Sequence, residues 1–84
     1  AGCLYSTSGD LGKFMQVLLN RGQIDKGVLL SAKSLKEMLT LQFANEKDKT
    51  GFGLGFVIGD LDGKVRVGHG GAIYGFSTEL AFLP

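Results

Sequence analysis

Tryptophan is absent from this 84-residue chain, and cysteine, proline and histidine each occur once. A lone cysteine excludes an intrachain disulfide and leaves no zinc-ligand spacing. With no histidine near it in sequence, Cys3 reads as a small buried or semi-buried residue rather than a nucleophile. No apolar run approaches the roughly 20 residues that a helix needs to span a bilayer, so no membrane association is expected. The charges are mixed in sign and sum to +1. No basic run is interleaved with stacking aromatics, so there is no electrostatic footprint for nucleic acid. Three catalytic signatures are missing as well. There is no Ser-x-x-Lys, no Gly-x-Ser-x-Gly, and a single histidine leaves a Ser-His-Asp triad nothing to spare. The glycines do not follow the strand, loop and helix order of a dinucleotide site, and no cofactor is called for.

What the chain has in excess is glycine, 14 residues, more than twice the usual share of about 7%. Nine of these lie between Gly51 and Gly75. They alternate with apolar residues there, as strands do when one face lies very close to a neighbour.

In chain order, residues 1–6 form an extended lead with Leu4 and Tyr5 available to pack. Thr7-Ser8-Gly9-Asp10 has capping-box spacing. Leu11, Phe14, Met15, Leu18 and Leu19 then recur every three or four residues, which predicts an amphipathic helix ended by Gly22 in a left-handed conformation. A turn at Asp25-Lys26-Gly27 leads to Val28, Leu29 and Leu30, expected to be buried. Ser31 caps a second helix with Leu35, Met38 and Leu39 inward, and residues 45–50 form an exposed loop.

From Gly51 the period becomes two. Phe52, Leu54, Phe56 and Ile58 predict one face of a first strand. Asp62-Gly63 predicts a tight hairpin. Lys64–His69 is the second strand, Gly70–Gly75 a bend, and Phe76–Leu83 the third strand. Asp60 and Asp62 read as turn residues rather than paired acids, and Glu79 as a solvated or lateral residue. The expected class is α+β, a single unit over residues 1–84 with two helices preceding an antiparallel three-stranded sheet.

His69, between Gly68 and Gly70, supports two readings: a hydrogen-bonded structural residue on a strand, or a group that donates and accepts protons near pH 7. The amides of Gly70, Gly71 and Ala72 beside it are little screened by side chains, and such amides can hold an oxyanion or a substrate carboxylate. A nucleophile with an adjacent base is not present in these residues.

The stretch from Gly68-His69-Gly70-Gly71-Ala72 through Gly75-Phe76 to Leu83-Pro84, with Gly2-Cys3-Leu4-Tyr5-Ser6-Thr7 and the helix after it, resembles the C-terminal part of the serine β-lactamase and penicillin-binding protein-like hydrolases. The likeness is greatest to their class C-like esterase and D-aminopeptidase branch. It implies a partial β-lactamase/transpeptidase-like fold and an acyl substrate attacked by serine. It also implies that His69-Gly70-Gly71 stands at the third motif, Lys-Thr-Gly or His-x-Gly. His69 would be electrostatic anchor and hydrogen-bond partner, Gly70 and Gly71 would border the substrate, and the amide of Ala72 would form half of an oxyanion hole. The first motif, Ser-x-x-Lys, and the second, Tyr-x-Asn, lie upstream in that family and are not found here. Replacing Lys-Thr by His-Gly removes a hydroxyl, which argues against strict β-lactam specificity. The resemblance further implies that both ends are internal to a longer chain and that the piece is inactive alone. It would then self-associate or bind its missing N-terminal part. Members of the family are commonly exported, and a signal would precede Ala1. The alternative is a non-catalytic interaction or structural module on the same scaffold.

Overall fold

Thr7 opens the first helix as its spacing predicts: its hydroxyl accepts a hydrogen bond from the Asp10 amide at 3.1 Å. The computed structural model describes residues 2–84, and in it α1 runs over Ser8–Leu19. Removing the cap in Thr7→Ala should cost about 1 kcal/mol; urea unfolding that gives no loss of stability would refute this. Arg21, with φ 57°, takes the left-handed position after the helix. Gly22, one residue later, donates its amide to the Val17 carbonyl at 2.8 Å. This is the six-to-one bond of a Schellman end. The stop signal is therefore shared between two residues rather than held by Gly22 alone.

The segment after α1 forms a small hairpin of its own, β1 (Gln23–Ile24) paired antiparallel with β2 (Gly27–Val28). Its two-residue turn at Asp25-Lys26 lifts Val28 and Leu29 into solvent, against the expectation that they are buried, while Leu30 is half-buried. α2 covers Ala32–Met38 with Ser31 as its cap, accepting from the Ser34 amide at 3.0 Å. Its inward residues are those expected: Leu35 is buried, and Met38 and Leu39 pack against the core. Residues 45–50 are an exposed loop without regular structure, as expected.

The main sheet differs from expectation. The described residues form a four-stranded antiparallel sheet, with β3 (Gly51–Phe52), β4 (Val57–Leu61), β5 (Lys64–Ile73) and β6 (Phe76–Phe82) adjacent in chain order. The class remains α+β, but the architecture is two sheets and not a single three-stranded one. The supposed first strand reverses on itself at residues 53–56, where the Gly53 amide donates to the Phe56 carbonyl at 2.8 Å. A Cβ at Gly53 would run into the Met38 carbonyl. That same carbonyl accepts the Leu54 amide at 2.9 Å, tying the turn to the end of α2. Glycine at 53 thus serves a close backbone approach. The alternation of Phe52, Leu54, Phe56 and Ile58 is broken accordingly: Phe56 and Ile58 are buried, Phe52 and Leu54 exposed.

The second correction concerns residues 70–73, which do not bend. β5 continues straight through them to Ile73 and turns only at Tyr74-Gly75. The Asp62-Gly63 turn is as expected, with both residues at positive φ (51° and 82°) and the Asp60 carboxylate accepting from the Gly63 amide at 2.7 Å. Ile58, Val67 and Phe82 stand directly opposite one another across three strands. With Phe56, Leu18 and Leu35 they make up the buried core of the described residues, so the helices cover one part of one sheet face. Cys3, expected to be buried or semi-buried, is exposed, as are Leu4 and Tyr5. Ala1 lies outside the described residues.

Candidate functional site on the open edge of the long strand

The two tight turns make β5 the longest strand, and its neighbours do not cover it equally. β6 pairs with it from Val67 to Ile73, whereas β4 ends opposite Gly68. Among the described residues, 69–73 therefore have a strand partner on one side only.

The register then fixes which backbone groups face the gap. Leu61 and Lys64 close one two-residue turn, and Ile73 and Phe76 close the other. Pairs in that position exchange both main-chain hydrogen bonds, and bonding direction alternates along a strand. Val67, His69, Gly71 and Ile73 consequently bond toward β6, and Lys64, Arg66 and Gly68 toward β4. Gly70 and Ala72 follow the second set, but β4 is no longer there to receive them. Their amides and carbonyls point off the edge of the sheet.

His69 stands next to this edge and is exposed. Its Nδ1 lies 2.6 Å from the Gly70 carbonyl oxygen. That oxygen can only accept, so the contact is a hydrogen bond in the tautomer that carries its proton on Nδ1, and in that neutral form Nε2 is the ring's acceptor. The ring also lines a niche of about 110 Å³ with Phe52, Gly53, Gly55, Phe56 and Val57, formed where the β3–β4 turn approaches β5. A niche of this size takes a small group, well short of the 300–1,000 Å³ usual for whole ligands. The larger open cleft, about 600 Å³, lies elsewhere, between the ends of α1 and α2 and Pro84. It contains none of residues 69–72 and does not bear on this edge.

The structure thus gathers His69, Gly70, Gly71 and Ala72 on one strand segment with two outward amides. Thr78 lies opposite Gly71, with its hydroxyl 3.4 Å from the Gly71 carbonyl. Sequence reading missed the partner of Glu79. Its carboxylate meets Arg66 at 2.8 Å. The signal was available in the sheet face that the two residues share, once β5 is allowed to run through the glycines.

A family model described as Beta-lactamase matches residues 1–84, the whole chain. The chain belongs to the Beta-lactamase family. Neither the curated proteins nor the solved structures give a match. Membership bears out the resemblance to the serine β-lactamase-like hydrolases at the level of the family and is consistent with a serine hydrolase-like scaffold. In this Beta-lactamase chain the glycine-rich stretch is an extended strand, and its openness comes from the early end of β4.

Proposed function

We propose that this chain provides one wall of the acyl-transfer site of a serine hydrolase, acting on a small-molecule ester, amide or β-lactam carbonyl. The observation that carries the proposal is the edge of β5 left without a strand partner, where the Ala72 amide points outward three residues beyond His69. The nucleophile comes from a Ser-x-x-Lys segment outside these 84 residues. Its Oγ adds to the substrate carbonyl carbon while the lysine takes the hydroxyl proton. The carbonyl π pair moves onto oxygen, and the Ala72 N–H donates to that oxyanion. Collapse expels the alcohol or amine, which leaves with the proton, and water releases the acyl group by the reverse sequence. His69 borders the site through Nε2, as hydrogen-bond partner and electrostatic anchor, and Gly70 and Gly71 admit the substrate to the main chain. No cofactor takes part.

The test is the coding sequence immediately upstream of Ala1. Ser-x-x-Lys followed by Tyr-x-Asn is the expected result. A start codon at or next to Ala1 would overturn the proposal in favour of a non-catalytic interaction module. The 84 residues alone should show no turnover of an activated ester. Steady hydrolysis that disappears in His69→Ala would refute the assignment of the nucleophile to another segment.

A further inference from the structure

The back of β5, the face away from His69, carries an ion pair that spans two glycines. Arg66 and Glu79 are not cross-strand neighbours, since Glu79 stands opposite Gly70, four residues along β5 from Arg66. Their side chains nevertheless meet at 2.8 Å. Between them on that face lie Gly68 and, across from it, Ala81. These positions are small for steric reasons. A Cβ on Gly68 would stand 2.5 Å from the Leu80 carbonyl oxygen and 3.2 Å from the Ala81 Cβ. A Cβ on Gly70 would stand 2.9 Å from the second carboxylate oxygen of Glu79. Glu79 therefore lies back over Gly70 to reach Arg66, in the space a side chain there would occupy.

We infer that the Arg66–Glu79 ion pair, drawn diagonally across Gly68 and Gly70, is a positioning device for the strand segment that presents the Ala72 amide. The inference rests on the role proposed for Ala72. Beyond Gly68, β5 no longer pairs with β4, and among the described residues β6 is its only strand partner. An edge strand held on one side, with glycine at 70 and 71, has more conformational freedom than a paired one. Arg66 still lies in the part of β5 that β4 holds, opposite Gly59. The ion pair thus ties the β6 residue facing Gly70 back to the doubly paired part of the sheet. It restrains the twist of the overhanging segment without occupying the edge that a substrate would approach. Glycine at position 70 then has a reason apart from substrate access: it leaves room for the carboxylate. Arg66 and Glu79 are positioning residues, since neither points toward the open edge.

The experiment is amide NMR on the full-length protein that carries these 84 residues, which needs no turnover. Arg66→Met, Glu79→Gln and Gly70→Ala should each move the Ala72 amide resonance in the same direction. Each should also speed hydrogen exchange at Gly71, which bonds to β6, by about two- to fivefold, the size an exposed ion pair can give. The exchanged pair, Arg66→Glu with Glu79→Arg, should return both signals toward their starting values. Adding Glu79→Gln to Gly70→Ala should produce no further change, since the carboxylate is already displaced. Salt at about 1 M, where screening acts within a few ångströms, should reproduce the single variants in the unaltered chain. That arm holds even if a variant fails to fold. An Ala72 amide that stays in place through the single substitutions and the salt titration would overturn the inference, as would a charge exchange that restores neither signal. A start codon at Ala1 would instead remove the acyl-transfer reading and leave the measured link between the ion pair and the strand standing.

Discussion

Phe82→Ala should lower the melting temperature of this chain by more than about 12 °C. The Phe82 ring is buried at the end of β6 and meets Phe56 edge to face, with centroids 6.2 Å apart and planes at 86°. It also stands directly opposite Val67, which is fully buried. Truncating a phenylalanine in such a place costs about 3–5 kcal/mol through lost transfer energy and the cavity left behind. A chain of this length has roughly 4–13 kcal/mol in total. Few other buried side chains are available to close the gap, because the core of the described residues comprises Leu18, Leu35, Phe56, Ile58, Val67 and Phe82. Thermal unfolding followed by circular dichroism should show a loss of more than about 12 °C, taking 4 °C per kcal/mol as the lower bound for a domain of this size. Phe76→Ala, on the same strand but 71% exposed, serves as the comparison and should stay within about 0.5 kcal/mol of the parent chain. Equal melting of the two variants would show that the sheet and helices are not held together through the Phe56–Phe82 contact.

The second large effect is on chemistry. In the acyl-transfer enzyme proposed above, Ala72→Pro should lower kcat by roughly 100- to 1,000-fold, the loss seen when one oxyanion donor is removed. Proline deletes the N–H and adds no charge. The register directs the Ala72 amide off the edge of the sheet, so the β5–β6 ladder keeps its hydrogen bonds, and proline is tolerated at such edge positions. Ala72→Gly keeps the amide and should keep most of the activity. A fall in kcat confined to the proline variant, with KM nearly unchanged, identifies a donor used in the transition state. Equal activity of the proline and glycine variants would exclude the Ala72 amide from the oxyanion hole. Circular dichroism of the proline variant separates this result from misfolding.

The local punctuation of the fold was legible in the sequence. Thr7 and Ser31 cap the two helices as their spacing predicts, since a hydroxyl three residues before a free amide needs nothing distant to reach it. Asp62-Gly63 turns the chain because both residues tolerate positive φ. The family, too, was carried by a contiguous stretch of residues around His69. What misled the reading was the glycine-rich half. An alternation such as Phe52, Leu54, Phe56, Ile58 has the same period whether the chain runs on or doubles back. The reversal at residues 53–56 is decided by the Met38 carbonyl, which arrives from the C-terminal end of α2. Likewise, glycines 70 and 71 are compatible with a bend or with a strand. β6 decides the matter by pairing with β5 as far as Ile73.

The sequence by itself therefore determined the helix starts, the Asp-Gly hairpin, the α+β class and the family. These follow from interactions over a few residues or from a continuous motif. Only the tertiary structure decided the four-stranded sheet, the separate β1–β2 hairpin, the early end of β4 that leaves the Gly70 and Ala72 amides outward, and the crossing of Arg66 to Glu79. Each of these depends on which strands stop opposite which residues. Strand register is set by packing between segments far apart in the chain, and short-range periodicity carries no record of it.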